Sequence, residues 1–196
     1  MSGNSPQAQS KQMGSKLLTG ILLLVIIGCV SWMVMQIVGL QHGPRIALIE
    51  ISKRQEIPAM QWKDLDGGDW TLADHKGRVV VINYFATWCV PCRREIPDLN
   101  AIIKEFAGRD VVFVMISVDL QVELNTPLIP TLKAFAAENG LTIPVLLSRA
   151  APGTTESRSV PTTILVDRRG RMAEAIEGRF EADELRRDLN LLLEEK

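Results

Sequence analysis

Cysteine and histidine are scarce in this chain of 196 residues, which has three of the first and two of the second. A four-ligand zinc site would need Cys89, Cys92 and two further ligands at suitable spacing. His42 and His75 lie far from that pair and from each other in sequence, so no metal centre is expected, and no other cofactor is implied. Neither sign of charge is in excess, with 22 Lys+Arg against 23 Asp+Glu. No basic stripe stands out, which argues against nucleic-acid binding. No internal repeat is visible.

Charge is absent altogether from Leu17 to Leu40. As a helix this stretch would reach about 36 Å, enough to cross a hydrocarbon core of about 30 Å with some tilt. A cleaved signal peptide would have a shorter apolar region ending in small residues. Here the apolar run continues, so residues 17–40 are expected to be an uncleaved transmembrane anchor in contact with the lipid bilayer. Ile26-Ile27-Gly28-Cys29 is similar to a bacterial lipobox, in which Cys29 would carry a lipid. The apolar run from Val30 to Leu40 argues against it and favours Cys29 as a small apolar residue in a membrane helix. Residues 1–16, rich in Ser, Gln and Gly, are expected to form a disordered tail, and 41–56 a linker. Lys11 and Lys16 before the span and Arg45, Lys53 and Arg54 after it do not decide its orientation.

The remainder, 57–196, has the size of one globular domain. Met60–Leu65 and Asp69–Leu72, on either side of Asp66-Gly67-Gly68, form the pattern of a short hairpin. The β-branched and aromatic run Val79–Phe85 suits a central strand buried on both faces. Helical spacing of Leu99, Ile102, Ile103 and Phe106 predicts a helix from about Pro91 to Ala107. A second buried strand follows at Val111–Val118. The pattern then gives a helix at Leu128–Asn139 closed by Gly140, and a short strand at Val145–Leu147. A hairpin of Thr162–Val166 and Met172–Ile176 and an amphipathic helix from Ala182 to Leu193 complete the chain. This order implies an α/β fold with a mixed central sheet and helices on both faces.

Cys89-Val90-Pro91-Cys92 falls between a buried strand and a helix start. Two thiols at that spacing close a small disulfide loop with little chain movement. The unpaired N–H groups and macrodipole of a helix N-terminus favour thiolate, and such placement lowers a cysteine pKa from about 8.5 into the range of about 3.5–7.5. Cys89 is therefore the candidate nucleophile. Cys92, one turn into the helix and better shielded, is the candidate resolving thiol.

Trp88-Cys89-Val90-Pro91-Cys92, preceded by Asn83-Tyr84-Phe85-Ala86-Thr87, resembles the active-site segment of the thioredoxin superfamily. Val160-Pro161-Thr162-Thr163 resembles its second signature, in which the proline is cis. The membrane helix, the leading hairpin and Arg93-Arg94-Glu95-Ile96-Pro97 bring the chain nearest the anchored TlpA/ResA type. The resemblance implies a thioredoxin-like fold with an added N-terminal hairpin, preceded by one transmembrane helix. It places the domain on the extracytoplasmic (periplasmic) side of a bacterial cytoplasmic membrane. It also implies disulfide-containing client proteins, such as apocytochrome c or copper-site proteins, and a membrane electron donor of thiol-reducing type. Trp88, Pro91, Val160 and Pro161 would line the client side, with Trp88 over the disulfide's flank or packed in the core. Pro97 would remove a hydrogen bond from the active-site helix.

Asn83 stands where thioredoxin keeps a buried Asp, and Asn cannot act as a base for Cys92. The TlpA/ResA type has a Glu three residues after the second cysteine, which is Glu95 here. The resemblance implies that Glu95 tunes the thiols and moves protons; a favourable acid in a helix's first turn is the plainer alternative. A peroxiredoxin would need Thr or Ser where Ala86 stands, and a Sco-type copper carrier needs Cys-x-x-x-Cys and a later His. A reductase is favoured over a disulfide-forming oxidase and over a non-catalytic binding module.

Overall fold

A computed structural model describes residues 20, 22–33, 48–58, 60–119, 127–148 and 159–195. The chain divides into two compact units, Met1–Arg45 and Ile46–Lys196. In the first, residues 22–33 form helix α1, with its side chains exposed and Cys29 a free thiol. Among the described residues no helix is long and apolar enough to cross a membrane. The tail expected over 1–16, and the ends of the span expected over 17–40, lie outside them.

The second unit is a seven-stranded mixed sheet. Its strands are β1 (Gln61–Asp64), β2 (Asp69–Thr71), β3 (Val79–Phe85), β4 (Val111–Ser117), β5 (Val145–Leu147), β6 (Thr162–Val166) and β7 (Met172–Glu177). Their spatial order is β2-β1-β5-β4-β3-β6-β7. Strand β3 runs parallel to β4 and antiparallel to β6, and every one of its residues is buried. That is what a run of Val, Ile, Tyr and Phe with no polar alternation requires. Three helices follow strands: α2 (Val90–Glu105), α3 (Leu128–Glu138) and α4 (Ala182–Glu194).

Helices are expected on both faces, and the three described here share one of them. Among the described residues, the buried side chains of α2 (Ile96, Leu99, Ile102), α3 (Leu132, Phe135) and α4 (Leu185, Leu189, Leu192) all enter one core layer. The connections β3–α2–β4 and β4–α3–β5 step the same way along the sheet. Right-handed crossovers then place both helices on the same face. The opposite face carries Val80, Ile82, Ile116 and Ile164, with Trp62 of β1, Leu72 of the 3-10 turn, Ile57 and Met60 packed on that layer. Each fully buried Ile, Leu or Phe contributes about 1.5–3 kcal/mol, so both layers matter to stability.

Residues 48–56, expected within a linker, are bound to the domain. Ile49 N–H donates to Ala173 O, Met172 N–H to Gln55 O, and Ile57 N–H to Gly170 O, so this segment covers the free edge of β7. Arg54 is buried between Asp167 and Glu195. Arg171 closes the cluster, with its Nε donating to Asp167 Oδ2 at 2.9 Å. Burial acts to raise the Asp167 carboxyl. The Arg171 backbone N–H, the Arg171 and Arg54 guanidiniums and the Arg169 N–H outweigh it and hold the group below its usual range. These partners come from opposite ends of the unit, which local sequence patterns do not reveal.

Candidate active site

Three chain ends meet at one end of the sheet. Strand β3 finishes at Phe85, and Ala86-Thr87-Trp88 turns the chain into α2. Strand β6 starts there with Thr162 opposite Tyr84 and Thr163 opposite Asn83. Strand β7 ends there too, with Glu177 opposite Thr162, and Gly178 N–H donates to Pro161 O at 2.8 Å. Gly178 turns the chain at φ 81°, a conformation that disfavours a side chain.

Cys89 is the N-cap of α2. Its Sγ accepts from Cys92 N–H at 3.1 Å, satisfying one of the helix's otherwise unpaired donors. Cys89 and Cys92 are joined by a disulfide. Both are buried, Cys89 at 4% exposure and Cys92 at 0%. Pro91 occupies the first turn, where a missing N–H costs little, and Pro97 lies inside the helix. Trp88 is 57% exposed, which excludes the core-packing role, and Val90 and Pro91 are exposed beside it. The Val160–Pro161 peptide bond is cis, as the resemblance implies. Pro161 is buried, and Val160 packs against the layer that contains both cysteines.

Glu95 follows Cys92 by three residues, so the two share a helix face one turn apart. Its side chain is 1% exposed. Asn83 Nδ2 donates to Glu95 Oε1 at 2.9 Å and to Thr163 Oγ1 at 3.1 Å. Glu95 Oε2 and Asn83 Oδ1 are buried with no hydrogen-bond partner. Burial pushes the Glu95 carboxyl up to about 7, against the lowering effects of the Asn83 N–H, the Arg179 charge and the Phe180 backbone N–H; Asp98 adds to the rise. Arg179 in turn lies 3.7 Å from Asp98.

Two site residues escaped the sequence reading. Thr163 was seen only as a neighbour of the proline. Asp119, just beyond β4, takes hydrogen bonds from Thr87 N–H at 3.0 Å, Thr87 Oγ1 at 2.6 Å and Ser117 Oγ at 2.8 Å. It thereby pins the turn that delivers Cys89. The signal available for it was an acid directly after a buried strand. Residues 120–126 and 149–158 lie outside the described residues. His75 lies tilted against Trp70 with ring centroids 4.7 Å apart, away from this constellation.

The AhpC/TSA family model matches residues 54–188. The chain belongs to the AhpC/TSA family. Within it, the chain is 30% identical over 182 residues to the thioredoxin-like protein YneN of Bacillus subtilis, covering 90% of this chain and 98% of that protein. It is 28% identical over 134 residues to the thiol-disulfide oxidoreductase ResA of Geobacillus thermodenitrificans, covering 67% and 73% of the two chains. A thiol:disulfide interchange protein of the thioredoxin family from Chlorobium tepidum matches with a TM-score of 0.60 at 27% identity, over 72% of this chain and 97% of that one. The fold is thioredoxin-like, and this AhpC/TSA protein is a thiol–disulfide oxidoreductase that acts on disulfide-containing substrates.

Proposed function

We propose that this protein is a membrane-tethered, extracytoplasmic reductase of client disulfides, using Cys89 as nucleophile, Cys92 as resolving thiol and Glu95 as proton carrier. The observation that carries the reading is Cys89 capping α2, with Cys92 and the buried Glu95 on successive turns behind it. In the reduced chain the Cys89 thiolate attacks one sulfur of the client disulfide. That S–S bond breaks, and the other client sulfur leaves as thiolate. Cys92 passes its proton to the Glu95 carboxylate and attacks Cys89 Sγ. The mixed disulfide breaks, the second client sulfur leaves and takes up a proton, and the Cys89–Cys92 disulfide forms. Two electrons have moved to the client, and a membrane-bound dithiol donor returns them. Exposed Trp88, Val90 and Pro91, with Val160 and Pro161, form the client-facing rim.

The uncharged stretch 17–40 supports the tether, and the resemblance of the motifs to the TlpA/ResA type supports the reducing direction and a bacterial membrane location. Apocytochrome c and copper-site proteins are the proposed clients. Turnover of insulin disulfides by the full chain in detergent, with dithiothreitol as donor, tests the activity. Cys89→Ser should abolish turnover, and Cys92→Ser should accumulate a mixed disulfide. Binding of unfolded chains without turnover would replace the enzyme reading. A reduction potential near about −120 mV would replace reductase by oxidase. Protease added to intact spheroplasts should digest the domain; protection would place it on the cytoplasmic side.

A further inference from the structure

The Glu95 carboxyl does not stand alone in the core. Its side-chain hydrogen-bond partner is an amide, and that amide's other contact is the Thr163 hydroxyl. Each of these three groups is unusual in what it can become. A carboxyl is an acceptor when ionised and a donor when protonated. An amide presents two N–H groups at one end and a carbonyl oxygen at the other, and half a turn about its last torsion exchanges them. A hydroxyl donates or accepts by rotating its hydrogen.

We infer that Asn83 and Thr163 form a reversible adapter that keeps Glu95 hydrogen-bonded in both of its protonation states. With Glu95 ionised, the Asn83 amide donates to the carboxylate and to Thr163 Oγ1, the arrangement observed. With Glu95 protonated, the amide turns so that Oδ1 accepts from the carboxyl O–H and from the Thr163 O–H. Two hydrogen bonds are kept either way, with one end of the amide unpartnered in each (Oδ1 in the first, Nδ2 in the second), so Glu95 keeps its amide partner as a proton enters or leaves. A buried polar group left without its partner costs about 1–3 kcal/mol, enough to block that exchange. Asn83 Oδ1, buried and unpartnered in the observed arrangement, is the atom that the second arrangement uses. Asn83 touches no reacting sulfur in this scheme; it is a positioning residue acting through Glu95.

The other groups around Glu95 favour one charge state but do not switch with it. Arg179 and the Phe180 N–H, from the β7–α4 connection, favour the carboxylate, and Asp98 of α2 opposes it. From β3 and β6 the facing polar groups are Asn83 and Thr163 themselves, both neutral. This inference rests on the proton-carrier reading of Glu95 only for its use in exchange, not for its existence.

The test is the side-chain amide resonance pair of Asn83, followed by 1H–15N NMR on the full oxidised chain in detergent from pH 5 to 9. Both resonances should move with a single midpoint equal to that of the Glu95 carboxyl carbon, and the movement should vanish in Glu95→Gln. Resonances that ignore pH, or that move equally in Glu95→Gln, would overturn the adapter. Thr163→Val, which retains shape, should shift the Glu95 midpoint by less than Asn83→Leu does. Asn83→Leu should raise it by about one pH unit, because hydrogen bonds to a charged acceptor are the stronger ones. A midpoint unmoved in Asn83→Leu would also overturn the idea. An Asn83 response that persists while Glu95→Gln leaves exchange rates unchanged would keep the adapter and remove the proton-carrier role.

Discussion

Two buried polar clusters of this protein obey opposite rules. Around Arg54, every charge meets its complement: Asp167, Arg171 and Glu195 pair with it or with each other, and three backbone hydrogen bonds beside them hold residues 49–57 on the sheet edge. Around Glu95, the carboxyl meets a neutral amide and a backbone N–H but no buried counter-charge, and two buried oxygens have no partner. Closure in the first cluster holds the Asp167 carboxyl below its ordinary range, so it stays ionised. Burial without a paired charge pushes the Glu95 carboxyl in the second up to about 7, where a proton can come and go. The first cluster has the arrangement of a fastening, and the second that of a working part.

The largest effect should come from opening the closed cluster. Arg54→Met leaves Glu195 without its partner and Asp167 with Arg171 alone, and breaking a buried pair costs about 3–5 kcal/mol. Urea unfolding of the oxidised full chain should show that loss, with exchange rates of the folded remainder unchanged. A loss below about 1 kcal/mol would place the cluster among ordinary surface pairs and dissolve the contrast.

Glu95→Gln is the matching change in the open cluster. Exchange at pH 7 should fall about a hundredfold, the lower end of what proton transfer contributes. The folded chain should meanwhile gain stability at pH 8, because a buried ionised group has been removed. Loss of both activity and stability would mean that Glu95 belongs with Arg54 as a fastening.

A third carboxyl sharpens the comparison. Burial, helped by the charge of Asp188, pushes Glu174 on β7 up to about 7, and its Oε2 has no partner. Glu95 and Glu174 both bind a proton more tightly in the fold than at their ordinary value of 4.5. Between about pH 4.5 and 7 the folded chain therefore carries protons that the unfolded chain has lost, and its stability falls as pH rises through that window. Glu174→Gln should flatten this slope and stabilise the oxidised chain by about 2 kcal/mol at pH 8, with little effect at pH 5. A stability that rises from pH 5 to 8 in the wild type would contradict both assignments.

The smallest effect is reserved for the turn before Cys89. Asp119→Asn weakens charge-assisted bonds to Thr87 and should cost about 1 kcal/mol, with a severalfold slower attack by Cys89. Unaltered kinetics would show that α2 and β3 position the cysteine without help from Asp119.

How much of this was legible follows from where the information lies. The strands Val79–Phe85 and Val145–Leu147 were read to the residue because their β-branched runs are local signals. Cys89 and Cys92 were readable because strand, motif and helix start are consecutive. The face on which α3 packs was not, since it depends on the order of strands in the sheet. Arg54 and Glu195 are separated by 141 positions, and nothing near either announces the other. Glu95 and Asn83 were each singled out through the family resemblance, yet their contact at 2.9 Å, and the place of Thr163 beside it, needed the pairing of β3 with β6.

The central claim is that the carboxyl behind the cysteine pair exchanges its proton near neutrality while the fastening at the sheet edge does not. It is tested most directly by titrating the carboxyl carbons of Glu95 and Asp167 by 13C NMR in the oxidised full chain. Glu95 should titrate with a midpoint of about 7, and Asp167 should remain ionised throughout the range from pH 5 to 9. A Glu95 midpoint near the ordinary 4.5 would contradict the account.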